Sequence, residues 1–244
     1  WGNGVTLLDR KNPAKPASRY LNAASEPGFL IDFVGALQYD TINRGMWLGT
    51  NQGLYFYDLN TEKLTVPFDD RSSTSISNII GSAIDENNRL WIGCDEGVYV
   101  VNLNREGKDF FSYMHYKYKP DNPQSRLIDK ITCIYLDSKG VLWLGSDRFG
   151  LYRRMTDKQG NDTFRNYTMA DGLASNNVRG ILEDDSGNLW ISTNNGLSFF
   201  DVKNGQFSNL YKEDGLCSSQ FYWNAYCKTA DGTLYFGTVD GLVG

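Results

Sequence analysis

The sequence predicts an all-β fold, a β-propeller built of four-stranded antiparallel blades. Three observations lead there. One short pattern occurs five times: an apolar residue, an aromatic, an apolar residue, Gly or Ser, a polar turn, then Gly and an apolar residue. The copies are Met46-Trp47-Leu48-Gly49 to Gly53-Leu54, Leu90-Trp91-Ile92-Gly93 to Gly97-Val98, Leu142-Trp143-Leu144-Gly145 to Gly150-Leu151, Leu189-Trp190-Ile191-Ser192 to Gly196-Leu197 and Leu234-Tyr235-Phe236-Gly237 to Gly241-Leu242. The aromatic recurs after 44, 52, 47 and 45 residues, a period that marks repeats of four strands per unit. With 25 Gly against 6 Pro and 14% aromatic residues, the composition suits many short strands joined by tight turns.

The unit around Trp190 shows how each strand is read. Val178 to Glu183 is a strand, and Asp184-Asp185-Ser186-Gly187-Asn188 a turn, with Asp bonding its own backbone and Gly free to take positive φ. Leu189 to Thr193 is the second strand, and Asn194-Asn195-Gly196 a hairpin turn. Leu197 to Val202 is the third strand, Lys203-Asn204-Gly205 a turn, and Gln206 to Tyr211 the fourth strand. Alternation along the second strand puts Trp190 on one sheet face and Leu189 and Ile191 on the other. Both faces are therefore apolar, as in a sheet packed between two others. Aligned on the aromatic, the first strands carry Gly81, Cys133, Gly180 and Ala225 at one position. Small residues suit strands that converge on a central axis.

The termini fall inside the repeat. Residues 1–9 match 50–58, so the chain opens in the turn before a third strand, and it closes at Gly241-Leu242-Val243-Gly244 as another third strand starts. The chain reads as one propeller domain, 1–244. It holds four complete blades, around Trp47, Trp91, Trp143 and Trp190. A half blade with its connection lies at 1–28, and another half blade at 217–244. The start at Trp1 rather than Met reads as a piece of a longer protein. The two halves either pair to close a five-bladed ring or belong to an arc of a larger one.

Charge and composition narrow the function. The 24 Lys and Arg against 29 Asp and Glu give a net charge of −5, and the aromatics do not interleave with a basic stripe, so nucleic acid is not an expected partner. No run approaches the roughly 18 apolar residues of a membrane span. Cys94, Cys133, Cys217 and Cys227 lack CxxC spacing and His115 is the single histidine, so no metal or other cofactor is expected. The four cysteines are expected to be free thiols filling buried strand positions.

Asp171-Gly172-Leu173-Ala174-Ser175-Asn176-Asn177-Val178, followed by Asp184 to Leu197, resembles the two-component regulator propeller repeat. Asp214 to Phe221 with Asp231 to Gly237 is similar to the last blade of such a propeller, where Tyr stands for Trp. The resemblance covers nearly the whole chain apart from about residues 9–29. It implies a seven-bladed ring in the periplasmic sensor region of a hybrid two-component sensor histidine kinase. Such a receptor recognises an oligosaccharide and switches on polysaccharide-utilisation genes. It also implies partners: the remaining blades, an immunoglobulin-like domain, and a second copy in a homodimer.

Candidate site residues are sought where the repeat breaks. The turns between strands two and three share a face with the strand-four-to-one connections, the usual binding face of propellers. Asp147-Arg148-Phe149 is one residue longer than its counterparts and alone carries Arg and an aromatic. Arg donates a planar fork to hydroxyls or carboxylates, and an aromatic face suits a sugar ring. The alternative is a bulged turn with a solvated Arg148. Asn177 ends the neighbouring connection. Tyr222 is placed at the funnel mouth, whereas Trp223 aligns with Val178 and reads as core. Arg126 and Lys130 are a basic spot for an acidic sugar, or ordinary surface charge. The recurring Asp85, Asp137 and Asp184 read as turn caps, and His115, lacking a partner motif, as structural. No catalytic residue is assigned. Two other readings stay open: a propeller-fold lyase or glycosidase, and a dimerisation scaffold that binds no ligand.

Overall fold

The computed structural model of the chain describes residues 4–8, 11, 19–22, 24, 33–67, 76, 78–104, 112–117 and 130–244. Strands β1 (Val5–Leu7) and β2 (Arg19–Leu21) form a two-stranded ribbon. Blade I follows, with β3 (Val34–Asp40), β4 (Gly45–Thr50), β5 (Leu54–Asp58) and β6 (Lys63–Thr65). Blade II comprises β7 (Gly81–Ile84), β8 (Arg89–Cys94), β9 (Gly97–Asn102) and β10 (Ser112–Tyr116). Blade III comprises β11 (Ile131–Leu136), β12 (Leu142–Ser146), β13 (Leu151–Thr156) and β14 (Asp162–Tyr167). Blade IV comprises β15 (Val178–Glu183), β16 (Leu189–Thr193), β17 (Leu197–Asp201) and β18 (Gln206–Leu210). Blade V has three strands, β19 (Phe221–Lys228), β20 (Leu234–Thr238) and β21 (Gly241–Val243). Every sheet is an antiparallel meander in chain order, which is propeller topology.

The first strands pack on one another in sequence, β3 on β7, β7 on β11, β11 on β15 and β15 on β19. They are therefore the innermost strands. A Cβ at Gly81 would stand 3.0 Å from the backbone N of Ile134 in the next blade, and one at Gly180 would run into the ring of Tyr226. Convergence of the first strands is why this position stays small.

The alternation along each second strand divides the core by blade interface. Trp47 faces Ile79, Leu90 and Ile92 of blade II, Trp91 faces Ile131, Leu142 and Leu144 of blade III, and Trp143 faces Ile181, Leu189 and Ile191 of blade IV. These three indoles are at most 1% exposed. Trp190 meets Phe221 and Phe236 of blade V but is only partly buried. The reason lies in the sheet it meets. Trp91 is flanked by Phe164 on the fourth strand of its neighbour, and blade V has no fourth strand among the described residues.

Each indole is also tied to its own turn. Trp47, Trp91, Trp143 and Trp190 donate from Nε1 to Asp40, Asp85, Asp137 and Asp184 at 3.1, 2.8, 2.9 and 3.3 Å. The same aspartates accept backbone N–H groups of the turn, for example Lys139 and Val141 on Asp137 at 3.0 and 2.8 Å. In blade V, Tyr235 has no indole N–H, and Thr229 stands where the aspartate would be. Thr229 ties the turn through its hydroxyl to the Thr233 carbonyl at 3.0 Å.

Four expectations need correction. The described residues form five blades, not seven, because five copies of the aromatic pattern supply five second strands. The ribbon and blade V share no sheet; the ribbon lies against blade I, where Val5, Leu7 and Leu21 pack on Leu48, Tyr55 and Tyr57. All four cysteines are free thiols, but only Cys94 and Cys133 are buried, while Cys217 and Cys227 are exposed. Finally, Trp223 is not core: it is 49% exposed. The register of β19 against β20 breaks between Phe221 and Tyr226, so Phe221 pairs with Thr238 as Val178 pairs with Thr193. Phe221 fills the core position, and residues 222–225 bulge out of the ladder.

Candidate functional site

One face of the propeller is built by turns of the second and third strands locked onto the connections between blades. In each blade a hydroxyl or thiol at the end of the second strand donates to the carbonyl of the turn glycine: Thr50 to Gly53 at 2.8 Å, Cys94 to Gly97 at 3.6 Å, Ser146 to Gly150 at 3.1 Å, Thr193 to Gly196 at 2.8 Å and Thr238 to Gly241 at 3.0 Å. Gly196 sits at φ 106°, a conformation open to glycine but strained for L residues. The turns then bond the connections. Gly150 N donates to Asn176 O at 2.8 Å, Asn194 N to Asn177 O at 3.1 Å, and Val239 N to Gln220 O at 3.1 Å.

The connections themselves are pre-shaped. The Asp-Gly-Leu motif forms a 3-10 turn twice, at Met169–Asp171 and Lys212–Asp214, each closed by a left-handed glycine, Gly172 at φ 106° and Gly215 at φ 105°. Met169 N donates to the Asn176 side chain, and Lys212 N to the Ser219 hydroxyl, both at 2.8 Å.

At the axis, the strand position just before the small residue carries Gly35, Ile80, Thr132, Arg179 and Asn224. Gly35, Thr132 and Arg179 each sit at a register shift of their first strand, which turns them out of the ladder. Thr132 donates to Val178 O at 2.7 Å, and Asn224 Nδ2 to Ile80 O at 3.4 Å, a bond that joins blade V to the start of blade II. Arg179 is the charged member of this set. Its guanidinium carbon lies 3.9 Å from the centroid of the Trp223 indole, and Nη1 is 3.8 Å from Oδ1 of Asp147. That oxygen accepts a hydrogen bond from Asn177 Nδ2 at 2.9 Å. Nε and Nη1 of Arg179 are buried without a hydrogen-bond partner among the described residues. Burial pulls the guanidinium below its usual pKa, opposed by the Asp147 carboxylate.

The sequence-derived candidates distribute as follows. Asp147 and Asn177 are brought together by a hydrogen bond. Arg148 is exposed on the long turn, with its guanidinium 5.8 Å from the ring centroid of Phe149, itself 38% exposed. Tyr222, 55% exposed, lies on the blade V bulge next to Trp223. Lys130 pairs with Asp95 at 3.2 Å, so its charge is matched by the turn of the preceding blade. Arg126 lies outside the described residues. His115 stacks on Tyr99 at 3.8 Å and donates from Nε2 to Glu96 O at 3.0 Å on the outer strand of blade II. The reading of the sequence missed Arg179. Its signal was present, a charge at a position that is otherwise uncharged. Trp223 was misassigned because alignment on Tyr235 cannot see a bulge.

Blades II and III meet on the opposite side through a second charged group. Arg89 bonds Asp85 through Nε at 2.9 Å and Asp162 through Nη1 at 2.8 Å, and Arg154 Nε donates to Asp162 at 2.6 Å. Arg89 and Arg154 lie 5.1 and 5.2 Å from the Trp91 ring. Both aspartates are buried and fully bonded, so this is an inter-blade brace.

The fold and these turns define a β-propeller. The family model described as two component regulator propeller matches residues 126–148 and 172–195, two copies of the repeat. A curated relative, histidine kinase P4 of Formosa agariphila, is 24% identical over 99% of this chain. The extracellular domain of a hybrid two-component system from B. thetaiotaomicron is 25% identical and superposes with a TM-score of 0.71 over 91% of this chain. The chain spans 21% of the length of the first and 30% of the second. Virginiamycin B lyase from Staphylococcus aureus, 13% identical, superposes with a TM-score of 0.63 over 97% of this chain and 77% of its own, which is a likeness of fold. No helix among the described residues is long and apolar enough to cross a membrane.

Proposed function

We propose that this chain is the ligand-sensing propeller segment of a hybrid two-component sensor histidine kinase, held outside the cytoplasm, and that it recognises an oligosaccharide at the axial mouth. The observation that carries the reading is the group Asp147, Asn177, Arg179 and Trp223. It sets a carboxylate, an amide and a guanidinium beside a half-exposed indole. Convergent polar groups beside an aromatic surface are what a saccharide with many hydroxyls and an apolar ring face needs. Arg148, Phe149 and Tyr222 extend that surface at the rim. The repeats matched by the family model and the likeness to a histidine kinase and to an extracellular sensor domain support the signalling part. On this reading the partners are further propeller and immunoglobulin-like segments of the receptor and a second receptor copy. The output is transcription of polysaccharide-utilisation genes, and the segment itself is not an enzyme.

The test pairs binding with signalling. A calorimetric screen of oligosaccharides against the chain identifies the ligand. Autophosphorylation of the parent receptor is then followed with and without it. Wild type responds, and Trp223→Ala loses both binding and response. No binding by any saccharide, or a response untouched by Trp223→Ala, overturns the proposal.

A further inference from the structure

We infer that the axial mouth selects an anionic saccharide, with a carboxylate or sulfate substituent on Arg179 and a sugar ring against Trp223. This rests on the reading above and narrows its ligand class. Four of the five blades place Gly35, Ile80, Thr132 or Asn224 where blade IV places Arg179. A guanidinium taken out of water without hydrogen bonds is destabilising, and the Trp223 ring face offers it no acceptor atom. Arg179 Nε and Nη1 are in that state, in a side chain 13% exposed. Asp147 lends its charge but no hydrogen bond, since 3.8 Å is beyond hydrogen-bond reach and Oδ1 is engaged by Asn177.

Glu96 and Asp240 lie on the turns of neighbouring blades, and Asp147 is the carboxylate that approaches Arg179. Lys130 and Asp95 neutralise each other, and the exposed Arg148 adds a cation on the same turn as Asp147. A neutral hydroxyl satisfies one guanidinium N–H and leaves the charge. An oxyanion satisfies both with charge-assisted bonds in the planar geometry Arg presents. Access lies past Trp223, which covers these donors from a bulge outside the β19–β20 ladder. Entry of the anion shifts the indole, so Trp223 reports the event.

The test titrates the full chain with tetragalacturonate, its methyl ester, a κ-carrageenan tetrasaccharide and its desulfated form, read by calorimetry and indole fluorescence. Both acidic probes, or one of them, bind at least about tenfold more tightly than the uncharged counterpart, which also tells carboxylate from sulfate. Arg179→Met removes that preference and Arg179→Lys keeps part of it, while Trp223→Ala weakens charged and uncharged probes alike. If Arg179→Met does not fold, the Lys variant is joined by salt dependence: between about 50 and about 500 mM NaCl, affinity falls for the acidic probe alone. Equal binding of charged and uncharged forms, or binding of neither acidic probe, overturns this inference. A neutral saccharide that binds through Trp223 would leave the sensor reading standing, whereas failure of every saccharide sinks both.

Discussion

Trp143 and Asp137 are joined by a 2.9 Å hydrogen bond from the indole Nε1 to Oδ2, and this bond links the two ends of the blade's logic. The indole faces the next blade, and the carboxylate shapes the turn of its own. Asp137→Ala strands the indole N–H and the turn amides of Lys139 and Val141. The expected loss is about 3 kcal/mol, from the cost of unsatisfied buried donors, measured by chemical denaturation. Trp143→Ala should cost about 3–5 kcal/mol through the cavity it leaves. Because the two share one bond, the double variant should lose less than the sum.

Acid should loosen the seam between blades II and III. Burial alone raises the Asp85 pKa, but hydrogen bonds from Trp91 and from the Arg89 backbone and side chain, with the Arg89 charge, outweigh it and hold the carboxyl below its usual range. A depressed folded pKa means that the contribution is fully present above the unfolded value, about 3.9, and is lost as pH falls through the folded one. Thermal melts should therefore show a plateau above about pH 5 and a decline below about pH 4. Asp85→Asn should lower the plateau and flatten the acid limb. A variant that tracks wild type at both ends would show that the brace adds no pH-dependent stability.

Thiol chemistry separates the two classes of cysteine. Burial pushes the Cys94 and Cys133 thiols up to about 12, whereas Cys217 and Cys227 are exposed. Titration of the native chain with a thiol-reactive disulfide at neutral pH should label Cys217 and Cys227 and leave Cys94 and Cys133 until denaturant is added. Native labelling of Cys133 would place it outside the core between blades III and IV.

How much of this was legible in the sequence depends on what sets each feature. The strands β15 and β16 match the expected bounds residue for residue, because turn chemistry at Asp184 to Asn188 and Asn194 to Gly196 is local. The aspartates were legible as turn caps, but their bond to the indole was not, since it depends on a pairing of Leu182 opposite Trp190. The odd charge at Arg179 was legible, but the outward turn of Trp223 and Arg179 was hidden for a different reason. Both sit at bulges, and a bulge is a mismatch between two strands that neither strand shows alone. Blade number was drawn from the resemblance, while the five repeats themselves count five.

The rim should contribute to recognition separately from stability. Arg148 is exposed on the extended turn, so Arg148→Ala should leave the melt within about 0.5 kcal/mol of wild type. Binding of the saccharide found by screening should weaken by about 1.5–3 kcal/mol if a charged hydrogen bond is lost. Unaltered affinity would remove Arg148 from the site.

The claim that the axial mouth receives the ligand is tested most directly by fluorine NMR on chain labelled with 5-fluorotryptophan. The resonance of Trp223, assigned with Trp223→Phe, should shift on adding the saccharide. Those of Trp47, Trp91 and Trp143, buried between blades, should stay in place. A ligand that binds while the Trp223 resonance does not move would contradict the account.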